Sequence, residues 1–249
     1  MISLKNEKEL AAMRIAGKIS AQALKLGGEA VAPGVSTAAI DKIIYDYIIS
    51  QGAKPAFLGY NGFPASACIS INNEVIHGIP SKKRIIKEGD IVKIDTGAVK
   101  DGFYGDNAAT FAAGKISDEA RALMDATLES LKQGVIAAKP GNRLGDIGAA
   151  IQNYAEGKGF AVIRDYIGHG VGRNLHEDPE VPNYGTAGRG VRLVPGMTLA
   201  IEPMINASGI GTKTMPDGWT VVTASGSLSA HFEYTIAITK DGAEILTTP

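Results

Sequence analysis

At 249 residues and a formal net charge of −1, the chain can bury roughly 70–75% of its unfolded surface, so it needs no covalent staple. That charge lacks the basic excess of a nucleic-acid binder, and the one cysteine, Cys68, excludes an intramolecular disulfide and a thiolate zinc cluster. Residues 1–19 mix charged and apolar positions unlike a secretory leader, and no apolar run approaches bilayer length, which points to a soluble cytoplasmic protein.

Asn6 with Glu9 three residues on has the form of a capping box. Leu10, Met13 and Leu24, with the small residues Gly17 and Ser20 between them, then predict a first helix. Ser36 or Thr37 caps a second, which carries Ile40, Ile43, Ile44, Tyr47 and Ile48 and stops at Gly52. Strands are predicted at 67–71, 91–99 and 103–111, the last two joined at Asp101-Gly102, a strong hairpin turn. The basic run Lys82-Lys83-Arg84-Ile85-Ile86-Lys87 reads as a solvated loop. After a short joint at 115–117 come helices at 117–137 and 144–157, then strands at 197–205, 220–223 and 228–239. Asp241-Gly242 turns the chain into a last strand, and the Gly-rich stretches 183–192 and 208–211 read as loops.

The second half repeats the first. Asp95 and Glu202 stand 107 residues apart, each closing an apolar run that begins after a glycine, Gly89 or Gly196. The same offset relates Pro33-Gly34 to Pro140-Gly141, Ile40 to Ile147, Ile44 to Ile151, Tyr47 to Tyr154 and Gly52 to Gly159. Two helices followed by a hairpin, written twice, predict an α+β fold with a pseudo-twofold axis and two sheets side by side under helices. The linker is too short for independent units, so one domain is expected over 1–249, with halves at about 1–115 and 116–249.

Several enzyme classes drop out. Gly168-His169-Gly170-Val171-Gly172 lacks the third glycine of a dinucleotide loop, since Arg173 stands there. There is no phosphate loop and no Gly-x-Ser-x-Gly elbow. His176-Glu177-Asp178-Pro179-Glu180 opens like a zinc-protease helix but has no second histidine, and Pro179 would break the helix.

What is left is a set of acids where acids are costly. Asp95, Asp106, Glu202 and Glu233 all fall in apolar strands, and an ionised carboxylate there needs a cation. Four such charges with one imidazole, His169, would be balanced by two divalent ions. Oxygen-rich ligands with few nitrogens suit Mn, Fe, Co or Zn. The other histidines, His77, His176 and His231, lie in Gly-rich or strand-like segments.

These pieces, in this order, resemble the type I methionine aminopeptidases of the creatinase or pita-bread group. The resemblance is carried by Val75-Ile76-His77-Gly78-Ile79-Pro80, Gly89-Asp90-Ile91-Val92-Lys93-Ile94-Asp95, Asp101-Gly102-Phe103-Tyr104-Gly105-Asp106, Gly168-His169-Gly170-Val171-Gly172, His176-Glu177-Asp178-Pro179, Pro195-Gly196-Met197-Thr198-Leu199-Ala200-Ile201-Glu202-Pro203 and Ser229-Ala230-His231-Phe232-Glu233. It runs over essentially the whole chain. It implies a curved antiparallel sheet covered by helices, and removal of the initiator methionine from chains whose second residue is small. Asp95, Asp106, His169, Glu202 and Glu233 would hold two metal ions, with a water or hydroxide between them as nucleophile. Glu202 would move the water's proton, His176 would donate to the developing oxyanion, and His77 would contact the scissile amide or the next residue.

By position in the matching motifs, Phe57, Tyr60, Phe63, Cys68, Leu175 and Trp219 would line the pocket for the thioether. Trp219 follows the turn Pro216-Asp217-Gly218, which can present it at a cleft mouth. The chain departs from many members at Asn61, where a histidine is common, at Phe57 and Leu175 in side-chain size, and at His231, often Gln, which is given a supporting role. The implied partners are methionine-led peptides and nascent chains, with the ribosome as a docking partner; a monomer with no membrane or nucleic-acid role is expected. A prolidase or aminopeptidase P, expected to carry a large extra N-terminal domain, is the rival enzyme. A metal-free binding protein of the same fold is the rival of another class, and would be marked by loss of ligands.

Overall fold

The computed structural model describes residues 1–248. The first half contains α1 (Glu7–Glu29), α2 (Thr37–Ser50), β1 (Lys54–Pro55), β2 (Ala67–Ile71), β3 (Glu74–Ile76), β4 (Ile91–Lys100) and β5 (Phe103–Ala112). The second contains α3 (Asp118–Ala137), α4 (Leu144–Gly157), β6 (Ala161–Val162), β7 (Gly168–Gly170), β8 (Glu177–Val181), β9 (Thr198–Ile201) and β10 (Met204–Asn206). It ends with β11 (Thr212–Thr214), β12 (Val221–Thr223), β13 (Ser229–His231), β14 (Glu233–Thr239) and β15 (Gly242–Ile245).

Local chemistry starts α1 and α2 as expected, and α3 in the same way. Asn6 accepts from the backbone of Lys8 and Glu9 while Glu9 returns a bond to Asn6, and Ser36 and Ser117 cap α2 and α3. Asp101 and Gly102 both have positive φ, the geometry that closes a two-residue hairpin, and β4 pairs with β5 from Lys100↔Phe103 to Ile91↔Ala112.

The large sheet is antiparallel, ordered β1-β4-β5-β14-β9-β7-β8, with β2 also on β4 and β15 also on β14. The seam between halves is β5 against β14, and β4-β5 lies on one side of it as β14-β9 lies on the other. Each half has its own core. Ile40, Ile44 and Ile48 of α2 pack with Ile69, Val92 and Ile94, while Ile147, Ile151 and Ala155 of α4 pack with Leu199, Ile201 and Ile236. The repeat read in the sequence is therefore a repeat of packing.

The seam itself holds only two residue pairs, Glu233↔Ala108 and Tyr234↔Asn107. Threonine hydroxyls reinforce it. Thr235 Oγ1 donates to Asp106 O (2.7 Å) and accepts from Asp106 N (3.1 Å); Thr110 Oγ1 donates to His231 O (2.8 Å) and accepts from His231 N (3.0 Å).

Three expectations need correction. The strand at 197–205 is two strands, broken at Glu202-Pro203, and the strand at 228–239 is broken at Phe232. Pro203 has no N–H to continue a ladder. At these breaks the chain leaves the large sheet: β9 pairs β14 and β7, whereas β10 pairs β13 and β6 in a separate three-stranded sheet. The basic run is not uniformly solvated either. Arg84 is half-buried, pairs with Glu74 and donates to the carbonyls of Ile69 (3.1 Å) and Ile79 (3.0 Å).

Candidate functional site

Sheet register brings the acids together. Asp95 on β4 stands opposite Ala108 on β5, and Ala108 opposite Glu233 on β14. Tyr234 pairs with Ile201, so Glu202, one residue past β9, continues the same row. Cross-strand partners share a face, so Asp95, Ala108, Glu233 and Glu202 all point one way. Asp106 is opposite Gly97, two residues along β4 from Asp95, and is on that face too. His169 pairs with Ala200, two residues before Glu202, and joins them.

Asp106, His169 and Glu233 offer ligand atoms that all lie within 4.8 Å of one another. His169 Nε2 is 3.5 Å from Glu202 Oε1 and 3.9 Å from Asp106 Oδ2. Asp95 lines the same cleft. Its Oδ1, with Asp106 Oδ1 and Glu233 Oε1, is buried without a hydrogen-bond donor. Among the described residues, no Lys or Arg comes within 4 Å of any of the four carboxylates. Burial and mutual repulsion push the carboxyls of Asp95, Glu202 and Glu233 well above their usual range, and burial lifts Asp106 to about 7. Burial, with His176 nearby, lowers His169 to about 4, which leaves a neutral imidazole. Orphaned oxygens, no protein counter-charge and a neutral imidazole are what a divalent cation completes, so the residues fit one.

His169 Nδ1 lies 2.9 Å from Gly170 O, so the ring is oriented with Nε2 toward the acids. His231 is fully buried with Nε2 3.6 Å from Glu202 Oε2. Burial, then the nearby His77 and Lys93, lowers it to about 3, so it meets Glu202 as a neutral ring.

The cleft above the acids is about 230 Å³ in volume. Phe57, Phe63, Cys68 and Leu175 are buried in one apolar cluster, with Tyr60 and Trp219 packed against it, and all six line the cleft. Phe63 and Trp219 meet edge to face at 5.1 Å, and Asp217 accepts from the Trp219 and Thr220 amides, which sets the tryptophan at the rim. Asn61, one of the departures noted in the sequence, lines the cleft. His77 and His176 face the same space. His77 has φ +59, uncommon for a residue with a Cβ, and burial lowers its pKa to about 4.

The structure adds residues that sequence reasoning missed. Ile76, Tyr166 and Ile167 also line the cleft, and Tyr166 sits edge-on to His77 at 6.1 Å. Their places beside His77 and Gly168-His169 were the available signal. Lys93 was read as part of an apolar run. It is fully buried, and its ammonium donates to Asn72 O (2.6 Å) and Ser229 O (3.0 Å), carbonyls from the two halves. Burial pulls its pKa down to about 7.

The sequence model of metallopeptidase family M24 matches residues 11–240. A methionine aminopeptidase from Clostridium acetobutylicum is 54% identical over 99% of both chains. The crystal structure of a methionine aminopeptidase from Thermotoga maritima superposes with a TM-score of 0.99 at 47% identity, covering all of both chains. A prolidase from Pyrococcus furiosus superposes at 0.79 with 26% identity, over 99% of this chain and 65% of that one. The chain belongs to metallopeptidase family M24 and, within it, to the methionine aminopeptidases.

Proposed function

We propose that the protein is a metal-dependent aminopeptidase that removes the N-terminal initiator methionine from peptides and nascent proteins whose second residue is small. The observation that carries this reading is the row of carboxylates with His169, open on one side to an apolar cleft that suits an unbranched thioether. The 54% identity to a named methionine aminopeptidase supports it over the prolidase reading.

Asp95, Asp106, His169, Glu202 and Glu233 are the residues that would hold two divalent ions, with Mn, Fe, Co or Zn as candidates. Bound there, the ions would supply Lewis-acid polarisation of the scissile carbonyl and a lowered pKa for the attacking water. The apolar cluster takes the methionine side chain. The free α-amine faces the acidic row, which selects chain ends over internal peptide. Glu202, held at the break after β9, accepts a proton from water and passes it to the leaving amine. His176 donates to the oxygen that becomes negative, and His77 steadies the scissile amide. His231 supports Glu202 from behind.

The reading extends to one domain over the whole chain, acting as a monomer in the cytoplasm on chains emerging from the ribosome. No described helix is long and apolar enough to cross a membrane.

The test is hydrolysis of Met-Gly-Met-Met and of Gly-Pro with Mn or Co added, repeated with chelator. Cleavage of the methionine peptide alone, lost with chelator, is expected. Cleavage of Gly-Pro alone would transfer the protein to the prolidases, and no cleavage of either with metal bound would favour a binding role.

A further inference from the structure

The proposed mechanism needs an N–H from His176 on the cleft side, and a neutral imidazole has one N–H and one bare nitrogen. Which nitrogen carries the proton is decided by the neighbour of the other. Tyr60 Oη lies 2.8 Å from His176 Nδ1, and the two rings stack with centroids 5.4 Å apart at 30°. Burial, with Tyr104 and Asp106 nearby, raises the Tyr60 phenol above its usual range, so it stays protonated and able to donate.

We infer that Tyr60 is a positioning residue that donates its hydroxyl proton to His176 Nδ1 and so locks the proton of the imidazole on Nε2, the nitrogen left to face substrate. This rests on the reading of His176 as donor to the oxyanion, and it gives Tyr60 a task beyond lining the thioether pocket.

The loop that carries Tyr60 is built as a mount. Gly59, Asn61 and Gly62 all have positive φ (82°, 49° and 88°), which turns the chain tightly around the tyrosine. The turn is closed by its own backbone bonds: Tyr60 N to Phe57 O at 2.9 Å, Gly59 N to Phe63 O at 2.8 Å, and Phe63 N to Tyr60 O at 2.9 Å. Phe57 and Phe63 anchor its two ends in the buried cluster. The hydroxyl is thus held in place from the first half of the chain to meet a histidine of the second.

The test is Tyr60→Phe, which keeps the ring and its stacking and removes only the hydroxyl. Ring ¹⁵N spectra of histidine-labelled protein should show His176 in the wild type with a bare Nδ1 and a protonated Nε2. In Tyr60→Phe both signals should move toward the average of the two tautomers. For Met-Ala-Ser, kcat should fall about tenfold while KM stays within about twofold, as expected for one lost orienting hydrogen bond. In a His176→Asn background the same change should cost nothing further. A wild-type imidazole protonated on Nδ1, unchanged ring signals in Tyr60→Phe, or a loss confined to KM that persists without His176 would overturn the inference. The ring signals decide the tautomer whether or not methionine peptides are cleaved, so failure of this inference and failure of the proposed function are told apart.

Discussion

At the scale of single residues, the site is a collection of groups that each cost stability. Asp106 is 4% exposed, and its carboxyl is lifted to about 7 by burial, so above that pH it holds a charge in a place that resists one. Asp106→Ala should remove metal and lower kcat/KM by at least about a hundredfold, since loss even of an outer-shell partner of a metal costs 10–100-fold. Metal content measured beside turnover checks this, and a fully active variant would contradict the role proposed for Asp106. Asp106→Asn makes a second, opposite point. At pH 8 and without metal it should melt higher than the wild type, by about 2–4 °C for each kcal/mol of repulsion relieved. Differential scanning calorimetry in chelator reads this directly.

At the scale of elements, the site depends on how closely α1 lies on the β4-β5 hairpin. Gly17 and Ser20, which the sequence shows only as small residues within a helix, explain that approach. A Cβ built on Gly105 would lie 2.5 Å from the Cα and N of Gly17, and one on Gly17 would lie 2.4 Å from Leu246 O. Ser20 Oγ donates within 2.9 Å of Thr96 O and 2.6 Å of Asn107 Oδ1. The acceptors Thr96 and Asn107 are next in sequence to Asp95 and Asp106, two of the acids proposed to hold metal. Gly105→Ala should therefore displace α1 and Asp106 together, costing about 1–3 kcal/mol and more activity than that stability loss explains. Urea denaturation and turnover at a temperature where the variant is fully folded separate the two effects. The breaks at Glu202-Pro203 and at Phe232 belong to this scale too. Hydrophobic pattern alone reads each as one long strand, because β9 and β10 are apolar on both sides of the break. Their parting is decided by which sheet each half pairs with.

At the scale of the whole molecule, the two halves meet where β5 pairs with β14 and again where β3 pairs with β12, and four acids repel each other beside the first of these seams. The metal-free fold carries carboxyl groups whose pKa values are raised above those of the unfolded chain. Such groups favour the fold below the unfolded values, and that stability is lost as pH rises through the folded ones. A divalent ion replaces those protons, so its stabilising effect grows as the carboxyls ionise. The gap in melting temperature between Mn-loaded and chelated protein should therefore widen steadily from pH 5 to pH 8. His77 and His231, lowered to about 4 and about 3, penalise the fold as pH falls, but do so in both forms and cancel in the difference. A gap that narrowed over this range would contradict the balance of charge drawn here.

Much of this was legible in the residues because it is local or periodic. The capping box at Asn6, the hairpin at Asp101-Gly102 and the 107-residue repeat are short-range or repeating signals that the chain carries without reference to its fold. So is the cost of Asp95, Asp106, Glu202 and Glu233 in apolar strands, which called for a cation before any geometry was known. Only the tertiary structure decided which face those acids share, since that follows from strand register across β4-β5-β14-β9 and a slip of one residue would scatter them. It alone joined Tyr60 to His176, put the ammonium of Lys93 between carbonyls of the two halves, and split two strands between sheets. Contacts between residues more than a hundred positions apart are set by packing of the whole chain, and no local pattern encodes them.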